Sequence, residues 1–135
     1  MRVTIAILAL AAATAAQAPA EPILGYWKNP SGTAIIAIAP CGTALCGTVA
    51  WASARGQREV SKTTAHVVGT RVLTGLRRSG DRWAGSLFIP DDNIHVSARL
   101  QLIDAKTLKL TGCAFAGLFC RSQVWTRVEG PSSPG

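Results

Sequence analysis

The chain has 135 residues and carries 14 Lys or Arg against 7 Asp or Glu, which gives a net charge of +7 at pH 7. This length suits one domain built around a single hydrophobic core. The 4 Trp, 1 Tyr and 3 Phe residues are too few for the aromatic girdles of an outer-membrane barrel, and no apolar run is long enough for a transmembrane helix, so we expect a protein that does not span a membrane.

The N-terminal residues 1–20 are typical of a secretory signal peptide. Arg2 supplies a minimal positive charge, residues 3–13 are apolar, and small residues follow, which is the usual order of an export signal. The candidate cleavage positions are Ala16, Ala18 and Ala20. Cleavage after Ala20 fits best, because it satisfies the small-x-small pattern and does not leave Pro19 beside the cut.

Removal of the signal leaves a domain predicted at residues 21–129, followed by a disordered tail at residues 130–135. Four cysteines behind an export signal indicate an oxidising compartment. We therefore predict a periplasmic or secreted protein of a Gram-negative bacterium. The basic excess either favours an anionic component of the envelope or only keeps a small domain in solution, and nucleic acid is not an expected partner there.

Short alternating runs separated by Gly, Pro, Asp and Asn dominate the mature sequence, and they predict eight β-strands. The predicted strands are residues 24–29, 33–39, 46–52, 70–77, 82–88, 93–103, 107–114 and 120–128. The alternation is clearest in the sixth, where Ile94, Val96 and Ala98 alternate with His95 and Ser97, as in a sheet with one wet face.

Two segments depart from this pattern. Residues 33–39 are apolar on both faces, so a helix, a loop or a second chain is expected to cover the outer face of that strand. The connection at residues 53–69 is long for a compact domain, and we predict that it carries a short helix over the mouth or wall of the fold.

Eight consecutive antiparallel strands favour an all-β fold, a single up-and-down β-barrel with one long loop or short helix. Closure into a barrel removes the unpaired edges of an open sheet. The interior of an eight-stranded barrel is either filled by side chains or holds one small ligand.

The four cysteines form two local pairs, Cys41 with Cys46 and Cys113 with Cys120. Three connectivities are formally open, and we favour the local one because it requires no assumption about which distant strands meet. A zinc site is the rival interpretation, but neither pair has CxxC spacing and the compartment is oxidising, so disulfides are predicted and no metal is expected.

Residues that would carry catalysis are not arranged in a recognisable motif. His95 alternates onto a polar strand face, and His66 lies in the long connection without an evident partner. Asp91 and Asp92 stand in a Pro-Asp-Asp-Asn turn, where turn chemistry accounts for them. We therefore predict no catalytic residues, no cofactor and no enzymatic activity.

A Gly-x-Trp sequence on the first strand and an arginine on the last carry a structural prediction. Trp27, two residues after Gly25, is expected to fill the floor of the barrel, with Arg127 over its indole as a cation–π cover. In this respect the chain resembles lipocalin-like barrels, which close one end with this pattern.

Several further segments identify a family resemblance. They are Gly25-Tyr26-Trp27, Pro40-Cys41-Gly42, Leu45-Cys46-Gly47, Leu73-Thr74-Gly75-Leu76, Trp83-Ala84-Gly85, Ile89-Pro90-Asp91 and the run from Gly117 to Arg127. With these segments the chain resembles the exported bacterial proteins of domain-of-unknown-function family 2147, which are similar to calycins and lipocalins in fold. The resemblance implies a lipocalin-like barrel in the cell envelope and brings no established activity.

The chain departs from the family pattern in two places. Gly56-Gln57-Arg58-Glu59 stands where the family has an Asn- or Asp-bearing segment, and Asn93-Ile94-His95-Val96 stands where it has a Gly-Lys-Thr-Tyr-like turn. If those segments shape a ligand mouth, these differences predict a different ligand, or none.

Two functional hypotheses follow. The first is a binder of a small hydrophobic or amphipathic ligand, held in or at the mouth of the barrel; the rival is a core filled by the same side chains. The candidate lumen residues are Trp51, Trp83, Phe88, Phe115 and Trp125. The second hypothesis is a non-catalytic envelope module that binds protein, anionic lipid or cell wall through its surface, motivated by the two-faced strand and the basic excess. The sequence predicts no oligomeric state.

Overall fold

The computed structural model describes residues 3–6, 21–60 and 66–131, and these form eight strands and one short helix. The elements are β1 (Gly25–Lys28), β2 (Ala34–Cys41), β3 (Ala44–Ala52), α1 (Ala54–Val60), β4 (Arg71–Ser79), β5 (Arg82–Ile89), β6 (Ile94–Asp104), β7 (Thr107–Ala114) and β8 (Phe119–Val128). The predicted fold class is confirmed. Most of the predicted signal peptide and residues 132–135 of the predicted tail lie outside the described residues.

Each strand pairs antiparallel with its neighbour in sequence, and β8 pairs with β1 to close the barrel. This topology puts the connections β1–β2, β3–β4, β5–β6 and β7–β8 at one end, called here the open end. The connections β2–β3, β4–β5 and β6–β7 lie at the other, closed end. In the part of the chain that the structure describes, no helix has the length and hydropathy needed to cross a bilayer.

Large apolar side chains fill the barrel towards its closed end. The largest fully buried side chains of the described residues are Trp27, Trp83, Ile23, Ile35, Leu73, Leu76, Leu100 and Leu108. All of these belong to the continuous core except Ile35, which lies on the outer face of β2. The alternation predicted for β6 is present, because Ala98 and Leu100 are buried while Ser97 and Arg99 are not.

The outer face of β2 is covered in part by the chain itself. Ile36 and Ile38 point into the core, and Ile35 on the opposite face is also fully buried. The register partner of Ile35 is Trp51 in β3, so the two residues share the outer face. Ala39, further along the same face, is exposed. The expectation of a covered outer face therefore holds at Ile35 and is wrong at Ala39, and no second chain is needed at Ile35.

Helix α1 begins directly after β3 and packs against the start of β2. The Ser53 hydroxyl accepts a hydrogen bond from the backbone N–H of Gly56 at 3.0 Å, which is a helix N-cap contact. A Cβ at Gly56 would lie 2.7 Å from the backbone oxygen of Thr33, so glycine allows this close approach. The long connection thus carries a short helix at the open end, as predicted.

Two disulfides close short hairpins. Cys41 and Cys46 are joined across the β2–β3 turn at the closed end, with their Cα atoms 5.5 Å apart. Cys113 and Cys120 are register partners in β7 and β8, with Cα atoms 4.1 Å apart, near the open end. The connectivity is the local one.

The β6–β7 turn at the closed end is held by a carboxylate. The backbone N–H of Lys106 donates a 2.8 Å hydrogen bond to Asp104 Oδ1. This bond, with further hydrogen bonds from Thr107, lowers the pKa of Asp104 below its ordinary value.

Candidate functional site

A cavity of about 840 Å³ occupies the half of the barrel next to the open end. Inward positions of successive strands form its apolar wall. They include Ile36, Val49, Val72, Leu87, Val96 and Leu110. Val60 of α1 and Val67 of the following connection complete the wall on one side. The barrel is therefore solid at its closed end and hollow at its open end.

The polar side chains that line the cavity are largely paired with one another. The indole N–H of Trp125 donates to Gln123 Oε1 at 2.7 Å. Asn29 Nδ2 donates to the hydroxyl of Thr33 at 2.9 Å, and that hydroxyl also shares a 2.8 Å bond with Ser31. Among the described residues, no buried side-chain nitrogen or oxygen lacks a partner. An apolar ligand could thus enter without stranding a buried polar group.

The charged groups of the lining are Glu59, Asp91, Asp92 and Arg121. Glu59 is neutralised by Arg55, four residues earlier on α1, at 2.9 Å. Asp91 and Asp92 belong to the exposed β5–β6 turn. Arg121 lies on β8, two residues from Gln123, and no described residue forms an ion pair or side-chain hydrogen bond with it. A polar, mixed-charge rim thus surrounds an apolar interior.

Two of the five candidate lumen residues lie at this cavity. Trp125 is buried in its wall. Phe88 borders it, and its ring packs against His95 with 4.8 Å between centroids. Contact of either side chain with a ligand stays a prediction.

The other three candidates lie elsewhere, so their assignment to the lumen is corrected. Trp83 points inward but lies in the filled core near the closed end, where its indole N–H donates to Glu21 Oε2 at 3.0 Å. Trp51 faces outward beside Ile35. A bulge between Ile35 and Ile36 moves the alternation of β3 by one residue, so Ala52 faces the cavity instead. Phe115 lies in the β7–β8 connection and is largely exposed.

The residues predicted to close the barrel are together at the closed end. Trp27 is fully buried, and the guanidinium carbon of Arg127 lies 4.3 Å from its ring centroid. Gly25 lies directly beside this pair, because a Cβ there would be 2.7 Å from Arg127 Nη1. Among the described residues, Trp27 and Arg127 fill this end of the barrel, and the cavity opens towards the opposite end.

Most residues that line the cavity were not predicted from the sequence. Leu87, Val96 and Leu110 occupy inward positions of strands with a clear alternation of apolar residues. That alternation was sufficient to predict them. No comparable pattern in the sequence indicated that Glu59 and Val60 of α1 line the cavity. Over the described ranges, no group of three or more His, Cys, Asp or Glu residues is placed to hold a metal ion.

Comparisons with known proteins agree with this architecture. A family model described as "Uncharacterized protein conserved in bacteria (DUF2147)" matches residues 25–127. A solved structure of protein HP1028 from Helicobacter pylori, described as belonging to the lipocalin family, superimposes with a TM-score of 0.59. The two chains are 10% identical, and the similarity covers 78% of this chain and 82% of the other, which establishes a shared fold. No curated protein matches the sequence.

Proposed function

The chain belongs to the DUF2147 family of uncharacterized bacterial proteins, and we propose that it binds a small hydrophobic or amphipathic ligand in the open-end cavity of its lipocalin-like barrel. We propose that the protein binds this ligand and does not catalyse a reaction of it. The observation that carries it is the hollow half of the barrel.

The size and lining of the cavity support this proposal. Ligand sites in proteins commonly enclose about 300–1,000 Å³ and have mostly apolar walls with a few polar groups. The 840 Å³ cavity lies within that range, and its walls are mainly aliphatic. The rival interpretation, a fully packed barrel, applies to the closed half alone, where Trp27, Trp83 and Leu100 exclude a ligand.

The distribution of polarity favours an amphipathic ligand with a defined orientation. Leu110 and Trp125 form the apolar inner wall, so the apolar part of the ligand packs there. The rim carries Arg121, Asp91 and Asp92, so polar groups of the ligand remain at the mouth. Burial of an acyl chain against such a wall contributes about 0.8 kcal/mol per methylene group.

Export to the periplasm or beyond the cell is part of the same proposal. Its support is the pair of disulfides, because such bonds persist in oxidising compartments. The predicted signal of residues 1–20 is consistent with this location.

The test is uptake of a fluorescent fatty acid by protein that was purified from the periplasm and stripped of lipid with solvent. We expect saturable binding of one probe per chain. Val96→Phe places a ring in the cavity and should weaken binding by about tenfold or more. Ala84→Phe, on the exposed outer face of β5, is the matched control and should bind as the wild type does.

Thermal unfolding of both variants separates blockage from misfolding. A Val96→Phe protein that melts like the wild type and still binds the probe with full affinity would place the ligand outside the cavity. Absence of probe uptake by the wild type, together with no lipid in the solvent extract, would remove the proposal.

The second candidate function is an envelope module that acts through its surface. It was motivated by the strand that is apolar on both faces and by the basic excess, and the first of these observations no longer supports it. Ile35 on the outer face of β2 is covered by its own chain, so that strand does not call for a partner. A different surface feature supports binding of a partner at the open end. It is the connection between β7 and β8, which exposes apolar side chains.

A further inference from the structure

The connection between β7 and β8 exposes a concentration of large apolar side chains. Residues 115–119, called here the β7–β8 tip, include Phe115, Leu118 and Phe119, which are 74%, 79% and 67% exposed. Scattered apolar side chains are ordinary on a protein surface, but three in five residues form a patch that needs an explanation.

The backbone of the tip is held in a conformation that L-residues rarely adopt. Phe115, Ala116 and Gly117 have φ angles of 53°, 55° and 89° in succession. Positive φ is uncommon outside glycine, and bulky residues such as Phe avoid it most. Backbone strain of this kind concentrates where a protein binds something.

The tip is also braced. The Cys113–Cys120 disulfide joins the two strands at its base, and the backbone N–H of Leu118 donates to the carbonyl of Phe115 at 3.2 Å. The rings of Phe115 and Phe119 meet edge to face with 5.6 Å between centroids. The apolar side chains are thus presented on a short, cross-linked protrusion.

The apolar surface of the tip continues into the cavity. Leu118 and Phe119 are among the residues that line the cavity mouth, although both are mostly exposed. An apolar molecule therefore has an unbroken path from the outside of the tip into the barrel.

We infer that the β7–β8 tip inserts into the surface of an anionic phospholipid bilayer and places the cavity mouth against the membrane. A convex apolar protrusion needs no matching groove in a fluid bilayer, where Phe and Leu side chains enter the boundary between head groups and acyl chains. The mature chain, from which Arg2 is lost with the predicted signal, carries 13 Lys or Arg against 7 Asp or Glu, and this positive net charge of +6 complements anionic lipid. Loading of the cavity from that membrane rests on the proposed function, whereas docking itself does not.

Arg121 fits this orientation. It lies two residues after Phe119 and therefore on the same face of β8, about 7 Å further from the apolar end of the tip. Its guanidinium, which has no partner among the described residues, comes to the level of lipid phosphates when the phenyl rings are inserted. Asp91 and Asp92 at the same end oppose anionic lipid, so apolar insertion supplies most of the binding.

The experiment is flotation of the full mature protein with vesicles of phosphatidylcholine containing about one third phosphatidylglycerol. The wild type is expected to float with the vesicles. Phe115→Ser combined with Phe119→Ser should lower the vesicle partition coefficient by about tenfold or more, because two phenyl rings no longer insert. Ile103→Ser combined with Val124→Ser removes two exposed apolar side chains away from the tip and should change it less than about twofold.

Three outcomes overturn the docking proposal. One is a wild type that does not float, and another is equal flotation of the wild type and the Phe115/Phe119 double variant. The third is a wild type that sediments as a dimer without vesicles while the double variant sediments as a monomer, which would assign the tip to self-association. Circular dichroism of each variant verifies that the barrel is folded.

Uptake of a fluorescent fatty acid from aqueous solution distinguishes this proposal from the proposed function. Flotation without probe uptake supports docking and removes the ligand-binding role. Probe uptake without flotation supports ligand binding and removes docking. If both proposals hold, the single variant Phe115→Ser, whose side chain belongs to the tip but not to the cavity lining, takes up the probe from water as the wild type does, but receives it more slowly from preloaded vesicles.

Discussion

The guanidinium of Arg127 covers the indole of Trp27 and ties three segments of the closed end together. Its carbon lies 4.3 Å from the ring centroid. The three nitrogens donate hydrogen bonds to backbone carbonyls of Pro22 at 2.6 Å, Leu24 at 2.7 Å and Ala105 at 2.8 Å. One side chain on β8 thus joins the segment before β1 to the β6–β7 turn, at the place where β1 and β8 close the barrel.

Arg127→Ala is expected to lower the free energy of unfolding by about 2–3 kcal/mol. It removes three charge-assisted hydrogen bonds and a cation–π contact, and it leaves carbonyls of the closed end without donors. Arg127→Lys should restore only part of the loss, because an ammonium cannot reproduce the planar fork of donors. Urea unfolding measures both, with Arg99→Ala on the exposed outer face of β6 as the neutral control. A lysine variant as stable as the wild type would show that charge alone suffices there.

Reduction of the two disulfides is expected to lower the melting temperature in separable steps. Sequence separations of 5 and 7 residues give about 2 kcal/mol for each bond in the chain-entropy model. Replacement of either cysteine pair by serines should therefore lower the melting temperature by roughly 8–16 °C. Calorimetry of the two double variants, with and without a reductant, gives each contribution. An unchanged melting temperature in both would mean that the bonds hold only the local shape of the hairpins.

Much of the fold follows from local patterns that do not depend on how distant strands meet. Alternating apolar residues mark strands such as β6 directly, and turn residues mark their ends. Cys113 and Cys120 are 7 residues apart, so closing the loop between them costs less chain entropy than pairing Cys113 with a distant cysteine. The local connectivity was therefore predictable. The contact between Trp27 and Arg127 was predicted from the resemblance of Gly25-x-Trp27 on the first strand and an arginine on the last to the pattern of lipocalin-like barrels, and β1 and β8 do pair.

The contents of the lumen were harder to predict, for a geometrical reason. Alternation gives the face of a strand but not the height along the barrel axis, so Trp83 was expected at the ligand and lies in the filled half. A one-residue bulge exchanges the inward and outward positions of the strand residues that follow it. The bulge in β3 therefore places Trp51 on the outer face. Phe115 belongs to a connection, where neither rule applies.

Gly85 should tolerate alanine poorly, whereas Gly112 should accept it. A Cβ at Gly85 would lie 2.5 Å from the backbone oxygen of Thr74, which cannot move without shifting β4. A Cβ at Gly112 would meet the side-chain ends of Leu87 and Val96 at 3.2 and 3.3 Å, and both can shift into the cavity. We expect Gly85→Ala to cost about 1–3 kcal/mol and Gly112→Ala less than about 1 kcal/mol in urea unfolding. Equal costs would contradict the assignment of empty space beside Gly112.

Asp104 should make stability depend on pH in the acid range. Its pKa is lowered in the folded protein by the backbone N–H of Lys106, so its contribution is present above the unfolded pKa of about 4 and is lost as the pH falls through the lower folded value. Asp104→Asn should lose that part of the acid dependence while other carboxylates retain theirs. Unfolding curves at several pH values between 2 and 6 measure the difference. Parallel pH profiles would show that the folded turn does not favour the charged carboxylate.

Trp125 provides an internal reporter of cavity occupancy. It is the single Trp that lines the cavity among the described residues, whereas Trp27 and Trp83 lie in the filled core and Trp51 faces outward. A brominated fatty acid quenches indoles only in near contact, so binding in the cavity should quench the emission of Trp125 selectively. Trp125→Phe should therefore remove most of the ligand-induced quenching, and Trp51→Phe should preserve it.

The affinity of each Trp variant must be measured separately, because Trp125 both reports on the ligand and forms part of its wall. Native mass spectrometry provides the bound fraction without using fluorescence. A Trp125→Phe protein that binds the acid and still shows full quenching would place the ligand near another indole. Because Trp27 and Trp83 are enclosed by the core, that result would point to the outer surface around Trp51 and would separate surface binding from binding in the barrel.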